Sequence, residues 1–257
     1  MNPHVMIERE AGLLTLRLDN PDKKNALTRA MYSALAAALR EADADPRVRA
    51  VLITGGPSCF TSGNDIGDFL QAPPSGLDNP VFHFMQALFE FNKPVVAAVA
   101  GPAVGIGTTL LLHCDLVYVS RDATLRMPFV NLGLCPEFGS SLILPQLLGH
   151  ARAAELLLLG EAFSGEQAAA WGIANQALDG GAATLAKARA MALGFQHLAP
   201  SAVADSKRLM RAPGREQLRR VILEEGELFT QRLRSPEARE ALLAFMQRRP
   251  ADFSCFA

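Results

Sequence analysis

Pro94-Val95-Val96-Ala97-Ala98-Val99-Ala100 runs without a polar residue and breaks into Gly101-Pro102-Ala103-Val104-Gly105-Ile106-Gly107. A short uninterrupted apolar run closed by glycine predicts a strand covered on both faces, followed by a tight turn into a helix. Working outward, the same order recurs. Leu14, Leu16 and Leu18 alternate with Thr15 and Arg17 as a strand does, and Thr28 can cap a helix whose apolar positions are Met31, Leu35, Ala38 and Leu39. Val48 to Thr54 predicts a second strand, Phe82 to Phe91 a helix, and Asp115 to Val119 the strand after the glycine cluster. Repeated strand and helix order predicts an α/β fold with a largely parallel sheet. From Ser140 onward the pattern is helical: 142–148, 151–159, 165–171, 183–195, 201–210, 216–233 and 236–248.

The chain has 257 residues, 49% of them hydrophobic, enough to fill a sizeable core. Lys+Arg 25 against Asp+Glu 26 leaves a net charge of -1, so no global field attracts nucleic acid or an anionic membrane surface. No apolar stretch approaches the ~20 residues of a membrane-spanning helix, and Glu8, Arg9 and Glu10 stand where a secretory leader would be apolar. Cys59, Cys114, Cys135 and Cys255 form no C-x-x-C pair and read as free thiols in a reducing cytoplasm. Residues 71–80, with Pro73, Pro74 and Gly76, read equally as a flap over a site or as a surface loop.

Candidate chemistry narrows quickly. His4, His83, His113, His150 and His197 share no metal-ligand spacing, so no metal is expected. His113 beside Cys114 suggests a base and a nucleophile, but neighbours in a strand point to opposite faces, and a packing role is expected. No G-x-S-x-G surrounds a serine, and the glycine cluster is neither G-x-G-x-x-G nor a phosphate loop. The cluster does offer unpartnered N–H groups at a helix start, where negative charge is favoured; the alternative is that its glycines allow tight strand–helix packing. Phe60-Thr61-Ser62-Gly63-Asn64-Asp65-Ile66 is a second such loop after the preceding strand. Two loops after parallel strands open on one edge of the sheet, where α/β folds bind ligands, and a pair of converging N–H donors would make an oxyanion hole.

With these loops in view, the chain resembles the crotonase (enoyl-CoA hydratase/isomerase) superfamily of acyl-CoA enzymes. The likeness runs from Asn20-Pro21-Asp22-Lys23-Lys24-Asn25-Ala26-Leu27, through both loops and Cys114-Asp115, to Ala170-Trp171-Gly172-Ile173 and the segment 244–253. It implies a repeated ββα core over 1–199 and a helical C-terminal trimerisation region over 200–257, with a homotrimer or dimer of trimers as the assembly. It implies that the N–H groups of Asn64 and Ile106 hold the thioester carbonyl. By the same resemblance Lys24, Ala26, Leu27, Ser62, Gly63, Asp65 and Ile66 line the site of coenzyme A, itself part of the substrate, with no separate cofactor. Asp65 also reads as a helix-start residue. Where the family usually has glycine this chain has Ile106, a change that keeps the N–H donor.

Typical hydratases of the family carry two glutamates, and the matching positions here are Thr109 and Phe129. Neither moves protons as a carboxylate does. Glu137 instead stands in apolar company, Met127-Pro128-Phe129-Val130-Asn131-Leu132-Gly133-Leu134-Cys135-Pro136-Glu137-Phe138-Gly139-Ser140-Ser141. With Gly105 and the two loops, this looks like the peroxisomal-type delta3-delta2-enoyl-CoA isomerases, whose chemistry needs one carboxylate. On that resemblance Glu137 is the catalytic base, and Phe129, Leu134 and Phe138 keep water from it, which would raise its pKa. Other reactions on the same scaffold, dienoyl-CoA isomerisation or hydration, are alternatives. So is a non-catalytic acyl-CoA-binding or RNA-binding member, but the basic stretch 207–219 is interrupted by Pro213 and Gly214.

Overall fold

Strand β4 (Val95–Val99) explains why its sequence carries no polar residue. Val95, Ala97 and Val99 belong to the larger core cluster, whereas Val96 and Ala98 belong to a second cluster on the opposite face of the sheet. The computed structural model describes residues 4–71 and 76–256, and gives β4 two parallel neighbours, β3 (Ala50–Thr54) and β6 (Leu116–Ser120). Beyond β3 lie β2 (Leu13–Leu18), also parallel, and β1 (Val5–Glu10), antiparallel; beyond β6 lies β9 (Gln176–Leu178). The second sheet joins β5 (Pro102–Val104), β7 (Thr124–Arg126) and β8 (Ala162–Ser164).

The faces are covered unequally. The larger cluster packs under α1 (Arg29–Ala44), which begins as expected: the Thr28 side chain accepts from the Met31 N–H, and Met31, Leu35, Ala38 and Leu39 are buried. Helix α2 (Ile66–Gln71) follows the first glycine loop, and α3 (Pro80–Glu90) lies on α1. Helix α4 (Ile106–Thr109) starts at the second glycine loop and continues as a 3-10 turn to His113. Then come α5 (Ser140–Leu148), α6 (His150–Ala154) with a π-turn to Leu159, α7 (Gly165–Ala170) and α8 (Gly180–Gly194). Helix α8 covers the other face through Ala188 and Ala192, small residues one helical turn apart that let it lie close to β4 and β6. The tail comprises α9 (Pro200–Arg211), α10 (Arg215–Arg232) and α11 (Pro236–Met246), and the larger cluster takes in Ile222, Phe229 and Ala238 from it. Among the described residues no helix is long and apolar enough to cross a membrane.

The mixed α/β architecture, the parallel central strands and the helical C-terminal half agree with the sequence reading. Three differences have physical causes. Strand β1 carries no alternation, because it is an edge strand with only Val5 buried. Residues 113 and 114 are not in a strand: His113 ends the 3-10 turn and Cys114 caps it, so the expectation of packing holds for a different reason. Residues 72–75 of the anticipated flap lie outside the described residues.

Candidate active site

Neighbouring strands β3 and β4 deliver their following loops to the same edge of the sheet. The loops lie side by side: Thr61 and Ala103 form a parallel bridge, and the Val104 N–H donates to the Thr61 carbonyl at 3.0 Å. Along the first loop Phe60 and Thr61 donate to the Pro102 carbonyl, Ser62 to that of Lys24, Gly63 to the Thr61 hydroxyl and Asp65 to the Leu27 carbonyl. The Asn64 N–H has no acceptor among the described residues. In the second loop Gly105 donates to the Arg126 carbonyl, while Thr108 and Thr109 donate to that of Gly105. The Ile106 N–H opens α4 and likewise has no acceptor among the described residues, although Ile106 is fully buried. A buried N–H without a partner is costly unless a ligand supplies one. Gly105 makes this turn possible at φ 57 and ψ -120, a conformation side-chain-bearing residues avoid.

The stretch 20–27 is stitched to the first loop. Asn25, itself at φ 55, accepts the Asn20 N–H on Oδ1 at 2.8 Å and donates from Nδ2 to the carbonyls of Cys59 and Phe60. The Thr61 hydroxyl donates to the Asn25 carbonyl at 2.6 Å, and Leu27 pairs with Asn64 in a parallel bridge. Lys24 is exposed, whereas Ala26 and Leu27 are buried against the loop. Asp65 starts α2 as anticipated, accepting the Asp68 N–H at 3.1 Å, and pairs with the Lys23 ammonium at 2.7 Å. Burial works to raise its pKa, but Lys23 and the Asp68 N–H hold it below the usual carboxylate range. Ser62 and Ile66 remain partly exposed.

Glu137 is buried, with 4% of its surface exposed. It lines an apolar cleft together with Leu77, Phe82, Met85, Phe138 and Phe229, and among the described residues is the one carboxylate in that lining. Burial pushes its carboxyl up to about 8, offset in part by the Thr109 hydroxyl, which donates to Oε1 at 3.3 Å, and reinforced by the nearby charge of Glu225. Of the residues expected to shield it, Phe138 lines the cleft, whereas Phe129 and Leu134 are buried outside that lining, the Phe129 ring edge-on to Phe229 at 6.4 Å and 3.9 Å from where a side chain on Gly105 would begin.

Several contributors were not anticipated. Tyr32, fully buried on α1, donates its hydroxyl to Asn64 Oδ1 and so fixes the side chain of a residue with an open N–H. Glu225 on α10 accepts the N–H groups of Gly139 and Ser141. His113 stacks on Phe138, ring centroids 3.6 Å apart, and donates from Nε2 to the Phe138 carbonyl at 2.7 Å. Burial takes the His113 pKa down to about 3, so the ring is neutral, and takes Cys114 up to about 12, so that thiol is inert. Among the described residues no three His, Cys, Asp or Glu side chains are grouped as a metal centre requires.

The family described as Enoyl-CoA hydratase/isomerase matches residues 8–255. The chain belongs to that family. It is 34% identical over 253 residues to the human enoyl-CoA delta isomerase 2, covering 95% of this chain and 64% of that protein, so it spans under two thirds of that relative's length. It is 29% identical over 250 residues to 2,3-dehydroadipyl-CoA hydratase of Escherichia coli (strain K12), covering 97% of this chain and 98% of the relative. The structure of Pseudomonas aeruginosa OdaA is 71% identical and superposes with a TM-score of 0.95, covering 96% of this chain and all of the other. The relatives thus carry both isomerase and hydratase names on one fold.

Proposed function

We propose that this crotonase-family acyl-CoA enzyme shifts the double bond of 3-enoyl-CoA thioesters to give trans-2-enoyl-CoA, with Glu137 as its single proton shuttle. The observation that carries the reading is one buried carboxylate, pushed up to about 8, in the lining of an apolar cleft; the family resemblance, which sets Thr109 and Phe129 at the positions of the hydratase acids, supports it. As carboxylate, Glu137 removes a proton from C2, and the electron pair moves through the thioester to leave a dienolate. Its negative oxygen accepts from the N–H groups of Asn64 and Ile106; loss of one such donor typically raises a barrier by about 2.7–4 kcal/mol. Glu137 then returns the proton to C4, and the C2–C3 double bond is left conjugated with the carbonyl. No water, electron or separate cofactor enters the balance. The coenzyme A portion lies along Lys24, Ala26, Leu27, Ser62, Gly63, Asp65 and Ile66, with Gly105, Phe129 and Leu134 beside the acyl group. The same reading has the chain in a cytoplasmic setting as a homotrimer or dimer of trimers.

The test follows 3-hexenoyl-CoA by the ultraviolet absorbance of its conjugated product, beside a hydration assay on crotonyl-CoA. Isomerisation is expected to vanish in Glu137→Gln with little hydration in either form, and its kcat/KM in the native enzyme to rise with pH toward a plateau above about 8. Turnover retained in Glu137→Gln removes Glu137 from the role. Strong hydration with weak isomerisation assigns the chain to the hydratase side of its family.

A further inference from the structure

Glu225 is 7% exposed and sits on α10, whose neighbouring turns place Ile222, Gly226 and Phe229 in the wall of the cleft. Its two carboxylate oxygens are divided between two main-chain donors, Gly139 N–H to Oε2 at 2.5 Å and Ser141 N–H to Oε1 at 2.9 Å. These donors open α5, whose preceding residue Gly139 supplies no side-chain cap. They also lie immediately after Glu137, in a turn of unusual shape. Phe138 takes φ 56 and Gly139 φ 76, two successive left-handed residues of which only the second is glycine. Such a turn persists only where its surroundings over-determine it. His113 holds it from the sheet side, by ring stacking and the bond to the Phe138 carbonyl, and Glu225 holds it from the helical tail. Glu137 stands immediately before this turn.

We propose that Glu225 is a positioning residue for Glu137, acting as a two-pronged clasp on the 137–141 backbone that fixes the proton shuttle against the acyl wall of α10. The inference rests on the reading of Glu137 as the base. An ordinary helix cap would stabilise α5 and leave the chemistry alone; a clasp two residues from the base also sets where the carboxyl points and which charge it faces. The groups bearing on the pair are few. Cys135 comes from the same loop, Tyr32 from α1 and Thr109 from α4, while the Arg232 guanidinium at the end of α10 is engaged by Glu237 and the Gly133 carbonyl. Burial pushes the Glu225 carboxyl up against the pull of the Ser141 and Gly139 N–H groups, and its ionised form works to keep Glu137 protonated.

Two variants separate clasp from cap. Glu225→Gln removes the charge and one of the two acceptors, and Glu225→Asp keeps the charge but shortens the reach by one methylene. In Glu225→Gln kcat for 3-hexenoyl-CoA isomerisation is expected to fall roughly 10- to 100-fold, since small misplacements of a reacting group cost that much, with KM changed less than roughly threefold. The acid limb of kcat/KM is expected to move to lower pH. In Glu225→Asp kcat is expected to fall with the limb in place. Lowered thermal stability with kcat and limb unchanged in Glu225→Gln marks a plain cap and overturns the proposal. If Glu225→Gln does not fold, Glu225→Asp decides: reduced kcat at an unmoved limb supports the clasp, and native kcat overturns it. Glu137→Gln is run in parallel. Turnover surviving there defeats the base and the clasp together, whereas its loss beside unaffected Glu225 variants defeats the clasp alone.

Discussion

Glu137 shows how one side chain can be read from sequence while its consequences need three dimensions. Its apolar neighbours Phe129, Leu134 and Phe138 stand close in the chain, so the expectation of a dry carboxyl was accessible without a structure. The partners that tune it were not: Thr109 comes from α4, and Glu225 is one acid among several on a long charged helix, with no local pattern to single it out. Burial raises the Glu137 pKa from 4.5 to about 8. Between those values the folded protein holds a proton that the unfolded chain has released, so stability is full below about 4.5, declines across that window and levels off once pH has risen through about 8. A tenfold difference in proton affinity corresponds to about 1.4 kcal/mol, which makes the loss several kcal/mol in order of magnitude. Glu137→Gln cannot ionise and escapes it. Thermal unfolding is therefore expected to show the variant above the native protein at pH 9, with the gap closing toward pH 5. A variant less stable at pH 9 would mean that the native carboxyl is comfortably charged in place.

At the scale of elements, strands and helices whose pattern is local were legible: β4 from its unbroken apolar run, α1 from its cap and period, α8 from its span. What sequence could not supply is how the tail attaches. Asp115, just before β6, accepts the Val95 N–H and the Lys207 ammonium on Oδ2, at 2.8 and 2.7 Å, and the Arg211 guanidinium on Oδ1 at 3.1 Å. Lys207 also donates to the Lys93 carbonyl, and burial lowers its pKa to about 8 even with Asp115 beside it. This cluster fastens α9 to the sheet across some 90 residues of sequence. Removing one member of a buried pair strands the other charge, at a cost of about 3–5 kcal/mol; Asp115→Asn leaves the buried Lys207 ammonium without its counter-charge, whereas Lys207→Met leaves Asp115 the Arg211 guanidinium and the Val95 N–H. Asp115→Asn is thus expected to lower unfolding free energy in urea by about that amount, and Lys207→Met by clearly less. Equal, small losses in both would show the pair to be ordinary surface electrostatics.

For the whole molecule, the order of strands, loops and helices carried the fold, because each parallel strand must be followed by a crossover before its neighbour can form. The cleft was beyond that logic: its walls come from α3, the 128–139 loop and α10, elements that meet only after the chain has folded back on itself. The same limit applies to assembly, where the sequence offers a resemblance and the structure offers a surface. Leu158, Leu159, Leu209, Met210, Phe245 and Met246 are each at least 59% exposed. They stand as adjacent exposed pairs on the π-turn, α9 and α11, and large exposed apolar side chains of this kind are candidates for burial between copies. Their burial between copies would supply the hydrophobic contribution that a closed ring of identical subunits requires. Light scattering at micromolar concentration is expected to give three or six times the 27.6 kDa of one chain. Changing Leu209 and Met210 together to Glu should shift the mass toward a single chain, because charges placed in an apolar contact lose their hydration without gaining partners. A native protein already at 27.6 kDa would remove the trimer from the reading, leaving those side chains to some other contact.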